Sequence, residues 1–184
     1  YELLLNREGD IRRQAAALIG KMFANFNAGY RKEIPADMAD QDDRQARTLW
    51  ETYMEKLICP DYRLTLQQKR RIQNSLKYVL LSGIEHSGDR VREEMLSVFY
   101  QWFDGHHDLD EDARFALLDA VFSMPAELCA RSGRLDCLAE FAVDNMDHED
   151  DRVRVAAVRA LKVLTSVVTR ENACYERVRK AVTE

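Results

Sequence analysis

Four histidines and one acidic run carry the side chains best suited to chemistry in this chain. His86, His106, His107 and His148 are imidazoles able to hold a metal ion. His107-Asp108, with His86 before it and Asp144 after it, supplies the residue types of a divalent-metal centre. Metal ligands need rigid convergence and hydrogen-bonded support. The dyad instead lies in the short polar stretch Gly105-His106-His107-Asp108, outside any apolar helix, so solvated loop residues are expected. The run Asp144-Asn145-Met146-Asp147-His148-Glu149-Asp150-Asp151 could attract Ca²⁺ by its charge. It lacks the central glycine and the spaced terminal glutamate of a calcium-binding loop, and reads as a solvated, helix-capping turn.

The order His86, His107-Asp108, Asp144 superficially resembles the ligand set of HD-type phosphohydrolases, but the polar setting of the dyad gives no metal site to carry over. Cys59, Cys129, Cys137 and Cys174 are widely spaced, without a C-x-x-C pair, and are expected as buried, reduced thiols of a cytosolic protein. A Cys129–Cys137 disulfide is conceivable and has no support in the sequence. Lys69-Arg70-Arg71, with Arg63 and Lys77, is the densest basic group. Against a net charge of −5 it reads as an exposed helix face, and nucleic acid is not expected as a partner. Phosphate-cradling glycine loops and H-E-x-x-H or G-x-S-x-G motifs are absent, and no serine or cysteine has an identifiable base. No residue is assigned a catalytic, cofactor-binding or metal-ligating role, no cofactor is expected, and the chain is not expected to be an enzyme.

Helices must position whatever this chain presents. Of 184 residues only seven are Gly and three Pro, too few for the turns of a β-sandwich, while 46% are apolar and 32% charged. The class expected is all-α, as a single domain over 1–184. The apolar spacing places helices at about 10–26, 42–58, 66–85, 89–103, 110–124, 133–146, 150–168 and 171–182, after the tail of another at 1–5. Asp10 and Thr65 are expected N-caps, and Cys59-Pro60 a stop. The longest strongly apolar run, around Val79-Leu80-Leu81, is far below the ~18–20 residues that span a bilayer, so no membrane insertion is expected. A start at Tyr1 rather than Met suggests a piece of a longer protein, and a cytoplasmic location is expected.

One pattern recurs. Asp151-Arg152-Val153-Arg154, then Ala157, Leu161 and Leu164, repeats as Asp10-Ile11-Arg12 with Ala15, Ile19 and Met22. It returns as Asp89-Arg90-Val91-Arg92 with Met95, Phe99 and Trp102, and more loosely at 43–57 and 112–124. Arginine in a first helical turn faces the positive end of the macrodipole, so Arg12, Arg47, Arg92, Arg114 and Arg154 need compensation. A ladder of carboxylates on neighbouring units is the expected source.

The pattern Asp-x-Val-Arg-x-x-x-Ala-x-x-x-Leu resembles the second helix of HEAT repeats, and more loosely of armadillo repeats, over about half the chain. Met95 replaces the small residue in one copy, and the prolines common in the first helix are missing. The resemblance implies an α-α superhelix, a solenoid of about eight to nine helices stacked as antiparallel pairs. It further implies a non-catalytic scaffold for a protein or peptide partner. The alternative is a regulatory or accessory helical segment of a larger multidomain enzyme, such as a phosphohydrolase, whose catalytic domain lies elsewhere.

Overall fold

Helix-forming composition is realised directly: among the described residues there are helices and no strand. The computed structural model describes residues 2–25, 47–105, 108–131 and 133–183 in full, and 26–30 and 39–46 as helical backbone. After a 3-10 turn at Glu2–Leu5 come α1 (Gly9–Tyr30), α2 (Ala39–Ile58), α3 (Leu66–Gln73), α4 (Leu76–His86) and α5 (Asp89–Tyr100). A second 3-10 turn, Gln101–Phe103, leads to α6 (Glu111–Ser123), α7 (Ala126–Arg131), α8 (Leu135–Asp144), α9 (Asp151–Leu164) and α10 (Tyr175–Thr183). With α3 and α4 taken together, the described residues hold nine α-helical segments, against the expected eight to nine.

The single helix expected over 66–85 is broken at Asn74 and Ser75. The Ser75 hydroxyl donates to the Arg71 carbonyl at 2.8 Å, and its amide bonds back only three residues, to Ile72. Buried Gln73 meanwhile donates its amide to the Ile58 carbonyl at 3.0 Å. The Ser75 hydroxyl thus takes the carbonyl that its own amide would bond in a continuing helix, and the turn tightens there. Thr65 caps α3 as expected, with Gln68 closing a capping box. Asp10, expected as a cap, lies inside the first turn of α1 and pairs with Arg13. Gly133, at φ +63°, makes the left-handed turn into α8 that a Cβ would disfavour.

Contacts divide the chain into two compact units, Tyr1–Phe99 and Tyr100–Glu184. The first is built on α1 against α4. Gly20 stands at their closest approach, where an added Cβ would fall 2.1 Å from the Val79 carbonyl oxygen and 2.7 Å from the Gly83 nitrogen. Ala16 and Ala24, one turn either side, are fully buried, and the Ser82 hydroxyl donates to the Ala17 carbonyl at 2.7 Å. The buried face of α1 is therefore Ala15, Ala16, Gly20 and Ala24 rather than the expected run through Met22, which is exposed. Trp50 anchors α2, donating from Nε1 to the Met95 carbonyl at 3.1 Å while Phe23 meets its ring edge-on.

The second unit is built on α9, against which α6 and α8 pack, with α10 on α8. Val153, Ala157, Leu161 and Leu164 are buried as their spacing requires, joined by Ala156 and Ala160. Phe103 meets Phe141 edge-to-face at 5.1 Å. Among the described residues no helix is long and apolar enough to cross a membrane.

Candidate functional site

Four helix starts carry an arginine in the same geometry. Arg12 donates from Nη1 to the Asn6 and Arg7 carbonyls, both at 2.8 Å. Arg92 donates from Nε to the Ile84 carbonyl at 3.2 Å and from Nη2 to that of Ser87 at 3.0 Å. Arg114 donates from Nε to the Leu109 carbonyl at 3.1 Å. Arg154 donates from Nη1 to the His148 and Glu149 carbonyls at 2.6 and 2.9 Å. In every case one acceptor lies five residues before the arginine. The guanidinium gathers carbonyls that the incoming turn leaves without helical partners, and their negative ends offset the positive helix terminus.

A ladder of carboxylates on neighbouring units is therefore not how these arginines are held. Arg92 and Arg154 pair with Asp89 and Asp151 of their own first turns. Arg114 adds the Asn145 side-chain oxygen at 3.2 Å and lies over the Phe141 ring. Arg47 is not at a helix start: α2 begins at Ala39, and Arg47 pairs with Glu51 one turn on.

The contact between helices falls to Arg152, which the repeat did not single out. Its Nη1 donates to Asp112 of α6 at 2.8 Å, its Nη2 to Asp150 at 2.7 Å, and its guanidinium lies over the Phe115 ring at 5.9 Å. Asp150 also caps α9, accepting the Arg152 amide at 2.7 Å. The Arg152 guanidinium, with the cap amides, holds the Asp150 carboxyl down to about 2, and the two carboxylates push Arg152 further above its usual range. One heptad further along both helices, Arg159 of α9 lies over Phe122 of α6 at 5.8 Å. Phe115 to Phe122 and Arg152 to Arg159 advance in the same sense, so α6 and α9 run parallel. Val155 and Val158 are exposed on the side of α9 away from its core.

The other sequence candidates are engaged locally. His86 Nδ1 lies 2.9 Å from the Ser82 carbonyl, and His148 Nδ1 accepts the Asp150 amide. His106 and His107 lie outside the described residues. Within the acidic turn, Asp144 pairs with Arg177, Asp150 with Arg152 and Asp151 with Arg154, so these carboxylates point to guanidiniums rather than to a common centre. Among the described residues no three His, Cys, Asp or Glu are grouped to hold a metal ion. Arg71 leaves the basic group to donate to the Leu5 carbonyl at 3.0 Å.

All four cysteines are free, so the conceivable Cys129–Cys137 bridge is not formed, but only Cys129 and Cys174 are buried as expected, Cys59 being exposed and Cys137 half-buried. Burial pushes the Cys129 thiol up to about 11, and burial together with Asp136 pushes Cys174 up to about 12. Both stay protonated near neutrality and are poor nucleophiles. Asp136 accepts the Cys174 amide at 3.0 Å, and its contacts with Cys174 hold its carboxyl below the usual range. Tyr100, raised by burial and by Cys129 beside it, donates to the Leu128 carbonyl at 3.2 Å. These pairs hold helices in place and offer no activated group.

Comparison of the sequence with protein-family models and with curated proteins, and of the fold with solved structures, finds no match.

Proposed function

We propose that this chain is a non-catalytic interaction scaffold built from degenerate HEAT-like repeats and presenting a helical surface to a protein or peptide partner. The observation that supports this reading most strongly is the seam between α6 and α9. These two helices open with the same arginine device, lie forty residues apart at Arg114 and Arg154, and pack in parallel through Asp112–Arg152 and two arginine–phenylalanine stacks. Parallel packing of like helices one repeat apart is the relation expected between second helices of consecutive units in a solenoid. Under this reading α8 is the first helix of the unit that α9 completes.

The test pairs binding with turnover. A protein recovered on the immobilised chain, then purified and titrated against it, is expected to bind saturably at fixed stoichiometry. The chain alone is expected to hydrolyse neither phosphomonoester nor phosphodiester model substrates with added Mn²⁺. Metal-dependent turnover, abolished by His107→Ala, would replace the scaffold reading with a phosphohydrolase one.

A further inference from the structure

We propose that the outer face shared by α6 and α9 docks an acidic amphipathic helix of the partner. This rests on the scaffold reading and adds the surface and the chemistry of what it holds. On α9, Val155 and Val158 are 51% and 52% exposed, and on α6 Phe122 is 39% exposed. Three-residue spacing puts the two valines on one strip of α9, and Arg159 bridges that strip to Phe122. The opposite side of α9 is already filled by Val153, Ala157, Leu161 and Leu164. The outer valines are therefore not surplus from the core. β-Branched residues are also poor choices for a solvated helix face, where propensity favours straight-chain ones.

Charge selects the occupant. Arg159 and Lys162 border the valines, and neither forms an ion pair among the described residues. Asp119 shares the α6 edge one turn before Phe122, and Asp151 at the start of α9 is paired with Arg154. The positive end of the strip is thus its C-terminal half. In a chain of net charge −5, this is an apolar strip bordered by two unneutralised cations. A helix with apolar residues at i, i+3 and i+4, flanked by Asp or Glu, would bury the valines and Phe122 and neutralise Arg159 and Lys162.

The probe is a fluorescein-labelled peptide of about five helical turns, with Leu on one face and Glu flanking it. Its counterparts are the same peptide with Lys for Glu, and one of scrambled order. Titrated with the full chain and followed by anisotropy, the Leu/Glu peptide is expected to saturate. Val155→Asp/Val158→Asp and Arg159→Glu/Lys162→Glu are each expected to weaken it by about tenfold or more. The Lys and scrambled peptides are expected to bind at least that much more weakly. Both double variants change exposed positions, and circular dichroism verifies that they stay helical. Absence of saturation, equal binding of the scrambled peptide, or unchanged binding by both variants overturns the proposal. So does a dimer of the chain that Val155→Asp/Val158→Asp dissolves, because the face would then be a self-interface. If the purified partner still binds both variants, this face alone is wrong. If no partner binds the unaltered chain, the scaffold reading itself fails.

Discussion

Arg154 and Arg92 solve the same electrostatic problem with different atoms, and the difference is measurable. Arg154 reaches both carbonyls from one nitrogen, whereas Arg92 uses Nε and Nη2 for acceptors three residues apart. Together, the charge-assisted bonds of one such arginine contribute about 1–2 kcal/mol at a part-exposed site. Either alanine variant is expected to lower stability by about that amount in urea titration. Arg154→Lys should recover most of the loss, because one ammonium can donate twice. Arg92→Lys should recover little, because an ammonium cannot span the fork. Asp150 adds a pH-dependent contribution. Its carboxyl titrates near 2 when folded, against about 3.9 in an unfolded chain. Its stabilisation is therefore fully present above about pH 4 and lost as pH falls toward 2. The ion pair is part-exposed, so the amount is on the order of 1 kcal/mol. Asp150→Asn keeps a cap acceptor, and its stability should change less than that of the parent across that window.

At the scale of elements, the two units are held by different kinds of helix contact. The α1–α4 crossing depends on the missing side chain of Gly20. Gly20→Ala should force the backbones apart and lower stability by about 2–3 kcal/mol. Gly9→Ala, whose methyl meets only arginine side-chain ends at 3.7 and 3.9 Å, should change it by about 0.5 kcal/mol or less. In α9, Ala157→Asp would bury an unpaired charge at a fully buried position and cost about 3 kcal/mol or more. Arg159→Ala, on the exposed face, should be nearly neutral; equal melting temperatures for these two variants would contradict the packing of α9. The contrast also shows what periodicity can reveal. The core face of α9 was legible because large apolar residues mark it at helical spacing. That of α1 was not, because its contact surface is alanine and glycine, while Leu18 and Met22 point outward. The break at Asn74–Ser75 was likewise hidden, since Ile72, Leu76 and Val79 keep helical phase across it. The recurring arginines stood out in the sequence, but their acceptors did not. Backbone carbonyls have no letter in a sequence, so a carboxylate ladder was the natural inference. Arg152, which does cross between helices, is not marked by the repeat: its position is an arginine again only at Arg90, and is Asp10, Gln45 and Asp112 in the other copies.

For the whole molecule, buried thiols provide a native-state reporter. Cys59 is exposed in the first unit, whereas Cys129 and Cys174 are buried in the second with raised thiol titration. A maleimide reagent at neutral pH is expected to label Cys59 first, read by mass spectrometry of peptides. Cys129 and Cys174 should react only as fast as the second unit opens. Equal labelling of all three in the folded chain would contradict the packing of α7 and α10. The arginine device has a consequence for how such a chain can change length. Each guanidinium fixes the count of residues back to its carbonyl at five, closing a small arc across the start of a helix. Insertion or deletion inside residues 6–12, 84–92, 109–114 or 148–154 would part a guanidinium from an acceptor, whereas lengthening upstream of the first acceptor would leave the arc intact. Variation in length should therefore accumulate upstream of these arcs.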